Sequence, residues 1–73
     1  MIRSYCNFGI YNDDTSQSLE EGDDIDRIAY WDNGNKVVLK DVRISEIRAE
    51  EITVELEDFT EVTILIDDIE DWD

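Results

Sequence analysis

Between Glu51 and Ile66 the chain alternates apolar and polar residues with a period of two, and this limits the fold more than any other feature. Ile52, Val54 and Leu56 alternate with Glu51, Thr53, Glu55 and Glu57, and after a turn around 57–61 the residues Val62, Ile64 and Ile66 repeat the pattern. Successive side chains of a strand point to opposite faces, so the stretch reads as two antiparallel strands that each bury one face. A helix would turn Val54 away from Ile52 and Leu56 and break that face apart.

The segment "RIAYWDNGNKVVLK" adds a second hairpin. Asn33-Gly34 accepts the positive φ values of a type I′ turn, so Arg27–Asp32 and the residues from Lys36 onward are expected to pair. Val37 and Leu39 are apolar at odd positions whereas Val42 and Ile44 are apolar at even ones, which predicts a bulge or sharp bend near Lys40-Asp41. Towards the N-terminus, Ile2, Cys6, Phe8 and Ile10 share one parity and Arg3, Tyr5, Asn7 and Tyr11 the other, the pattern of a first strand. Residues 12–26 carry seven acids and no base and are expected to form an exposed loop. Ser18 and Glu21 have capping-box spacing there, but Gly22 would end a helix within one turn. The expected fold is a single all-β domain over 1–73. It is a small curled antiparallel sheet or a partly open SH3-like barrel of about five strands, with at most one short helical turn.

Size and composition exclude several functions. A chain of 73 residues buries roughly 60–65% of its unfolded surface, so its core is lean, yet ten isoleucines in a 41% hydrophobic composition are too many for a disordered tail. The lone Cys6 and the absence of histidine rule out an intrachain disulfide and remove the commonest metal ligand and general base. On its apolar parity Cys6 is expected to pack in the core, and no enzyme activity is expected. An EF-hand register on Gly22 would put Gln17, Leu19 and Glu21 at the first three ligand positions and Ile28 at the last, so no metal or other cofactor is expected. There is no apolar run of roughly 18–20 residues and no basic-then-hydrophobic N-terminus; the expectation is a cytoplasmic protein with no membrane partner.

Charge supplies the functional signal. Twenty-one acids against six bases give a net charge of −15, well beyond the roughly 2–8 usual for a small domain. Such a surface repels nucleic acid and anionic membranes and favours a basic partner. The six bases all lie outside 12–26 and 49–73, which segregates the acids in sequence. Residues two apart on a strand share a face about 6.7 Å from each other, so Glu51, Glu55 and Glu57 are expected to project from one face, with Glu61 across the hairpin. Asp58 and Phe59 lie at the turn, and Asp67, Asp68, Glu70 and Asp71 would extend the row. Asp13, Asp14, Glu20, Glu21, Asp23 and Asp24 form a secondary cluster. Among the aromatics, Phe59 is the expected exposed anchor; Tyr30 and Trp31 must face opposite sides, and Trp72 is expected to pack the chain end onto the barrel.

These residues, and above all the base-free "EEITVELEDFTEVTILIDDIEDWD" of Glu50–Asp73 together with the lack of histidine, resemble the small DNA-mimic inhibitors of phages and mobile elements, which include anti-CRISPR proteins, anti-restriction proteins and uracil-DNA glycosylase inhibitors. The resemblance is one of composition over the whole chain. It implies an acidic inhibitor that copies the charge of DNA, about one negative per 1.7 Å of axis, and occupies the basic nucleic-acid-binding site of a bacterial defence complex, first of all a CRISPR effector. It further implies a monomer or homodimer in the cytoplasm of an infected bacterial host, without direct nucleic acid binding. Two alternatives use the same surface differently: an immunity or antitoxin-type inhibitor of a nuclease, and an SH3-like or Sm-like acidic scaffold that self-assembles through an open edge at Ile64–Ile66.

Overall fold

The computed structural model describes residues 2–5 and 9–73, with Tyr5 described by its backbone alone. Among these residues lie β1 (Ile2–Tyr5), β2 (Gly9–Asn12), β3 (Gln17–Glu20), β4 (Asp24–Asp32), β5 (Asn35–Ile47), β6 (Glu51–Glu55), β7 (Glu61–Leu65), a 3₁₀ turn (Ile66–Asp68) and β8 (Ile69–Trp72). The fold is all-β, with every strand pairing antiparallel: a three-stranded sheet ordered β1-β2-β3 and a five-stranded sheet ordered β7-β6-β5-β4-β8 that does not close on itself.

The two hairpins expected from periodicity and turn chemistry both form. Asn33 and Gly34 take φ values of 51° and 81°, and Asp32 pairs with Asn35 across them, as a two-residue primed turn requires. In the β6–β7 hairpin Ile52 pairs with Ile64 and Val54 with Val62, which places the apolar residues of both strands on one face. Its turn over 56–60 is closed by three hydrogen bonds: the Leu56 N–H donates to the Thr60 carbonyl, the Phe59 N–H to the Leu56 carbonyl, and the Thr60 N–H to Asp58 Oδ1.

The bend near Lys40-Asp41 also forms. Asp41 has φ 55°, a left-handed value that short acidic residues tolerate. The register runs Ile25↔Val42 on one side of the bend and Arg27↔Lys40 on the other, so Asp26 stands opposite Asp41. Both strands change parity at this point: Ile25 and Val42 are buried before it, Ile28 and Tyr30 beyond it. The bend lets β5 pair with β4 along Asn35–Arg43 and with β6 along Arg43–Ile47.

Three expectations are corrected. Among the described residues the strands number eight, not about five, because Ile2–Tyr5 and Gly9–Asn12 are two strands paired antiparallel instead of one strand, and two short strands carry too few residues to show a period. One of these, β3, lies inside the supposed exposed loop 12–26: its single apolar residue, Leu19, is 2% exposed because pairing with β2 turns it into the core. The helical turn occurs at 66–68 and not near Ser18, where Gly22 at φ 89° serves a tight turn instead. Cys6, Asn7 and Phe8 lie outside the described residues.

The core is the space between the sheets. Ile10 and Leu19 of the small sheet join Ile28, Tyr30, Val42, Ile44, Ile47, Ile52, Val54, Ile64, Ile66, Ile69 and Trp72 in one buried cluster. Trp72 pairs opposite Ile28 at the β8 edge of the large sheet and is buried, the chain-end packing expected of it. Of the neighbouring aromatics on β4, Tyr30 is buried and Trp31 exposed, on opposite faces.

Candidate acidic binding groove

The β4–β5 bend and the end of β6 enclose an open groove of about 360 Å³. Strand β4 contributes Asp24, Ile25 and Asp26; β5 contributes Asp41, Val42 and Arg43; the β6–β7 hairpin contributes Glu55, Leu56, Glu57 and Phe59. Buried Ile25 and Val42 and half-buried Leu56 provide apolar lining, and carboxylates surround it. Asp26 and Asp41 face each other because the β4–β5 register continues unshifted through the bend, from Ile25↔Val42 to Arg27↔Lys40.

Arg43 is the base of the groove. Its Nε meets Asp24 Oδ1 at 2.9 Å and its Nη2 meets Asp24 Oδ2 at 3.4 Å. Hydrogen bonding from Arg43, more than the charge attraction that accompanies it, holds the Asp24 carboxyl below its ordinary range. The pair neutralises one carboxylate and leaves Asp26, Asp41, Glu55 and Glu57 to set the sign of the groove. Glu55 also faces Glu61 directly across the hairpin, and Glu61 accepts a hydrogen bond from the Ser45 hydroxyl at 3.2 Å.

Phe59 stands at the rim, 80% exposed, on a backbone with φ 67°. A bulky residue gains nothing intrinsically from a left-handed backbone, and one so exposed gains little from packing. Asp58 organises the turn by accepting the Thr60 N–H, which lowers its pKa. Beyond Asp41 a second trough of about 520 Å³, lined by Val38, Leu39, Lys40, Asp41, Leu56, Glu57 and Asp58, continues the first.

The other acids singled out by sequence lie elsewhere. Glu51 is held by Arg48, which also binds Glu46 at 2.9 Å and donates to the Thr53 hydroxyl at 2.8 Å. Glu57 lies in the turn, past the end of β6 at Glu55, so the row on β6 reads Glu51, Thr53, Glu55 with Arg48 laid over Thr53. Asp67 borders a separate hollow with Glu50, and Asp68 ends the 3₁₀ turn. The tail that lacks bases in sequence acquires them in space: Arg27 binds Asp71 and Asp73, each at 2.9 Å, and Lys36 binds Glu70 at 2.9 Å. The Asp71 carboxylate, more than that of Asp73, raises the Arg27 pKa, and Asp71 Oδ1, shut off from solvent, is paired with the guanidinium.

The secondary cluster is similarly dispersed. Asp13 pairs with Arg3 at 3.1 Å, and the Asp14 N–H donates to the buried Asn12 side chain. Glu21 accepts the Ile47 N–H, Asp23 accepts the Glu20 N–H, and Glu20 is exposed on β3. Of that cluster only Asp24 enters the groove. Two groove residues missed in the sequence, Asp26 and Asp41, were accessible to it: counting back from the Asn33-Gly34 turn brings these two acids into register.

Among the described residues no three His, Cys, Asp or Glu side chains are placed to hold a metal ion, and no helix is long and apolar enough to cross a membrane. Comparison of the chain with protein-family models, with curated proteins and with solved structures gives no match.

Proposed function

We propose that this chain is an acidic inhibitor that presents a DNA-like charge field to the basic nucleic-acid-binding site of a bacterial defence complex, with a CRISPR effector as the first target class. The observation that carries the reading is the groove itself: Asp26, Asp41, Glu55 and Glu57 converge around Leu56 and Phe59 with Arg43 already committed to Asp24. Arg3, Arg27, Lys36 and Arg48 are likewise engaged by carboxylates, so the six bases present little free cationic surface against the 21 acids.

A basic channel that binds phosphate would meet these carboxylates by the same electrostatics, with steering that speeds encounter. Phe59 supplies an apolar contact that charge alone lacks. The inhibitor acts by occupancy and performs no chemistry. At a surface that reads a short sequence element before strand separation, occupancy stops every later step.

The test is retention of DNA-handling defence complexes from bacterial lysate on the immobilised protein, with and without competing duplex DNA. Retention of a nucleic-acid-binding complex that duplex displaces is the expected result. A complex retained equally in the presence of duplex would instead favour an immunity-type inhibitor that binds outside the nucleic-acid site, and would overturn the reading.

A further inference from the structure

The bend of β5 has a second consequence, on the side of the strand that β6 leaves uncovered. β6 pairs with β5 from Ile47 back to Arg43 and ends at Glu55. The chain then turns on itself through bonds within 56–60 and returns along the far side of β6 as β7. Residues 36–41 of β5 therefore have β4 on one side and, among the described residues, no strand on the other.

The direction of the backbone groups follows from the turn. In a two-residue primed hairpin the residues flanking the turn, here Asp32 and Asn35, form a hydrogen-bonded pair, and bonded pairs alternate from there. Tyr30↔Val37 and Ile28↔Leu39 are then the bonded pairs, and the N–H and C=O groups of Lys36, Val38 and Lys40 point away from β4 into the open lane. Val38 is 44% exposed there, and the trough beside it is bounded by Leu56, Glu57 and Asp58.

We propose that this free edge, Lys36 to Asp41, is a strand-addition site for an extended segment of a protein partner. The segment pairs its backbone with Lys36, Val38 and Lys40, sets apolar side chains on Val38, Leu39 and Leu56, and brings Lys or Arg to Asp41, Glu57 and Asp58. Charge complementarity selects this occupant. Lys36 is already held by Glu70, so three carboxylates face Lys40 alone in the trough. A nucleic acid would be repelled. A second copy would align Lys36–Lys40 with its own counterpart and bring together two chains of −15. The site does not depend on charge mimicry: it binds backbone, which DNA does not offer, so it stands or falls apart from the function proposed above.

The experiment uses a short blocked peptide of alternating valine and arginine, the same peptide N-methylated at every backbone amide, and amide hydrogen exchange of the full chain. In the free protein Val37 and Leu39 are expected to be protected while Val38 and Lys40 exchange freely, and the unmethylated peptide is expected to slow exchange at Val38 and Lys40. N-methylation keeps the charge and removes the donors, and is expected to weaken binding about tenfold or more. Val38→Pro should give the same loss with the fold intact, because the Val38 N–H lies outside the β4 ladder; should that variant not fold, the methylated peptide on the unaltered chain decides. Equal binding of both peptides, protection of Val38 and Lys40 in the free protein, or a salt-dependent dimer that buries this edge would each overturn the proposal.

Discussion

Glu55 and Glu61 stand directly opposite each other, as the last residue of β6 and the first of β7 on either side of the turn that carries Phe59. Like charges in that relation destabilise a strand pair, by up to about 1 kcal/mol. Glu61→Lys converts repulsion into attraction at the cost of the Ser45 hydrogen bond, and is expected to stabilise the fold by about 0.5 kcal/mol. A denaturant midpoint that rises while binding to the proposed basic partner weakens would place Glu61 in the interface; a lower midpoint would show the Ser45 contact to outweigh the repulsion.

The hairpin turn and the core give the scale against which such effects are read. Gly34 has φ 81° and no atom within 4 Å of where a Cβ would stand, so Gly34→Ala is expected to cost about 1 kcal/mol through backbone strain alone. Ile52 is fully buried, and Ile52→Ala is expected to cost about 3 kcal/mol. A domain of this size has roughly 5 kcal/mol in total, so the second variant should be close to unfolding at moderate temperature. Urea denaturation of both checks the order.

Asp58 sets an acid limit for the β6–β7 turn. Backbone hydrogen bonding from Thr60 lowers its pKa below the ordinary 3.8, so the carboxylate supports the fold fully above the unfolded pKa and loses that support as pH falls through the lower, folded one. Asp58→Asn keeps an oxygen at the same place and removes the titration. The stability difference between the two proteins is expected to be flat at neutral pH and to shrink in favour of the variant below about pH 4. An NMR titration of the Asp58 carboxyl carbon, with a midpoint below that of an unfolded peptide, checks the cause directly.

Salt separates the two electrostatic contributions. At about 10 mM salt the screening length is about 30 Å, and at about 1 M it is about 3 Å. The first matches the long axis of the molecule, 29 Å, whereas the second spares only adjacent charges. Repulsion among surplus acids is therefore screened before ion pairs such as Arg27–Asp71 are, and the melting temperature is expected to rise with salt. A fall would mean that the ion pairs dominate.

Most of the large sheet was legible in the chain because its signals are local. Asn33-Gly34 defined one turn and its register, alternation around Ile52 and Ile64 defined another hairpin, and the parity shift between Leu39 and Val42 announced the bend at Asp41. β3 and β8 were not legible: each spans four residues, and what makes them strands is pairing with distant neighbours, Leu19 beside Ile10 and Trp72 beside Ile28. The same cause reshaped the acidic surface. Sequence clustering grouped Glu70 and Asp71 with Glu55 and Glu57, but lateral pairing of β8 with β4 carried the tail to Arg27 and Lys36. Asp26 and Asp41, fifteen residues apart in the chain, became neighbours.

In the proposed function the groove, rather than acidity in general, recognises the partner. The most direct measurement compares the affinity of the retained nucleic-acid-binding complex for two triple variants of equal charge. One is Asp26→Asn, Asp41→Asn and Glu57→Gln within the groove; the other is Glu20→Gln, Asp32→Asn and Asp67→Asn outside it. The groove variant is expected to lose affinity about tenfold or more while the control stays close to the unaltered chain, whose binding duplex DNA is expected to compete away. Equal losses in both variants, or binding that duplex leaves unchanged, would contradict it.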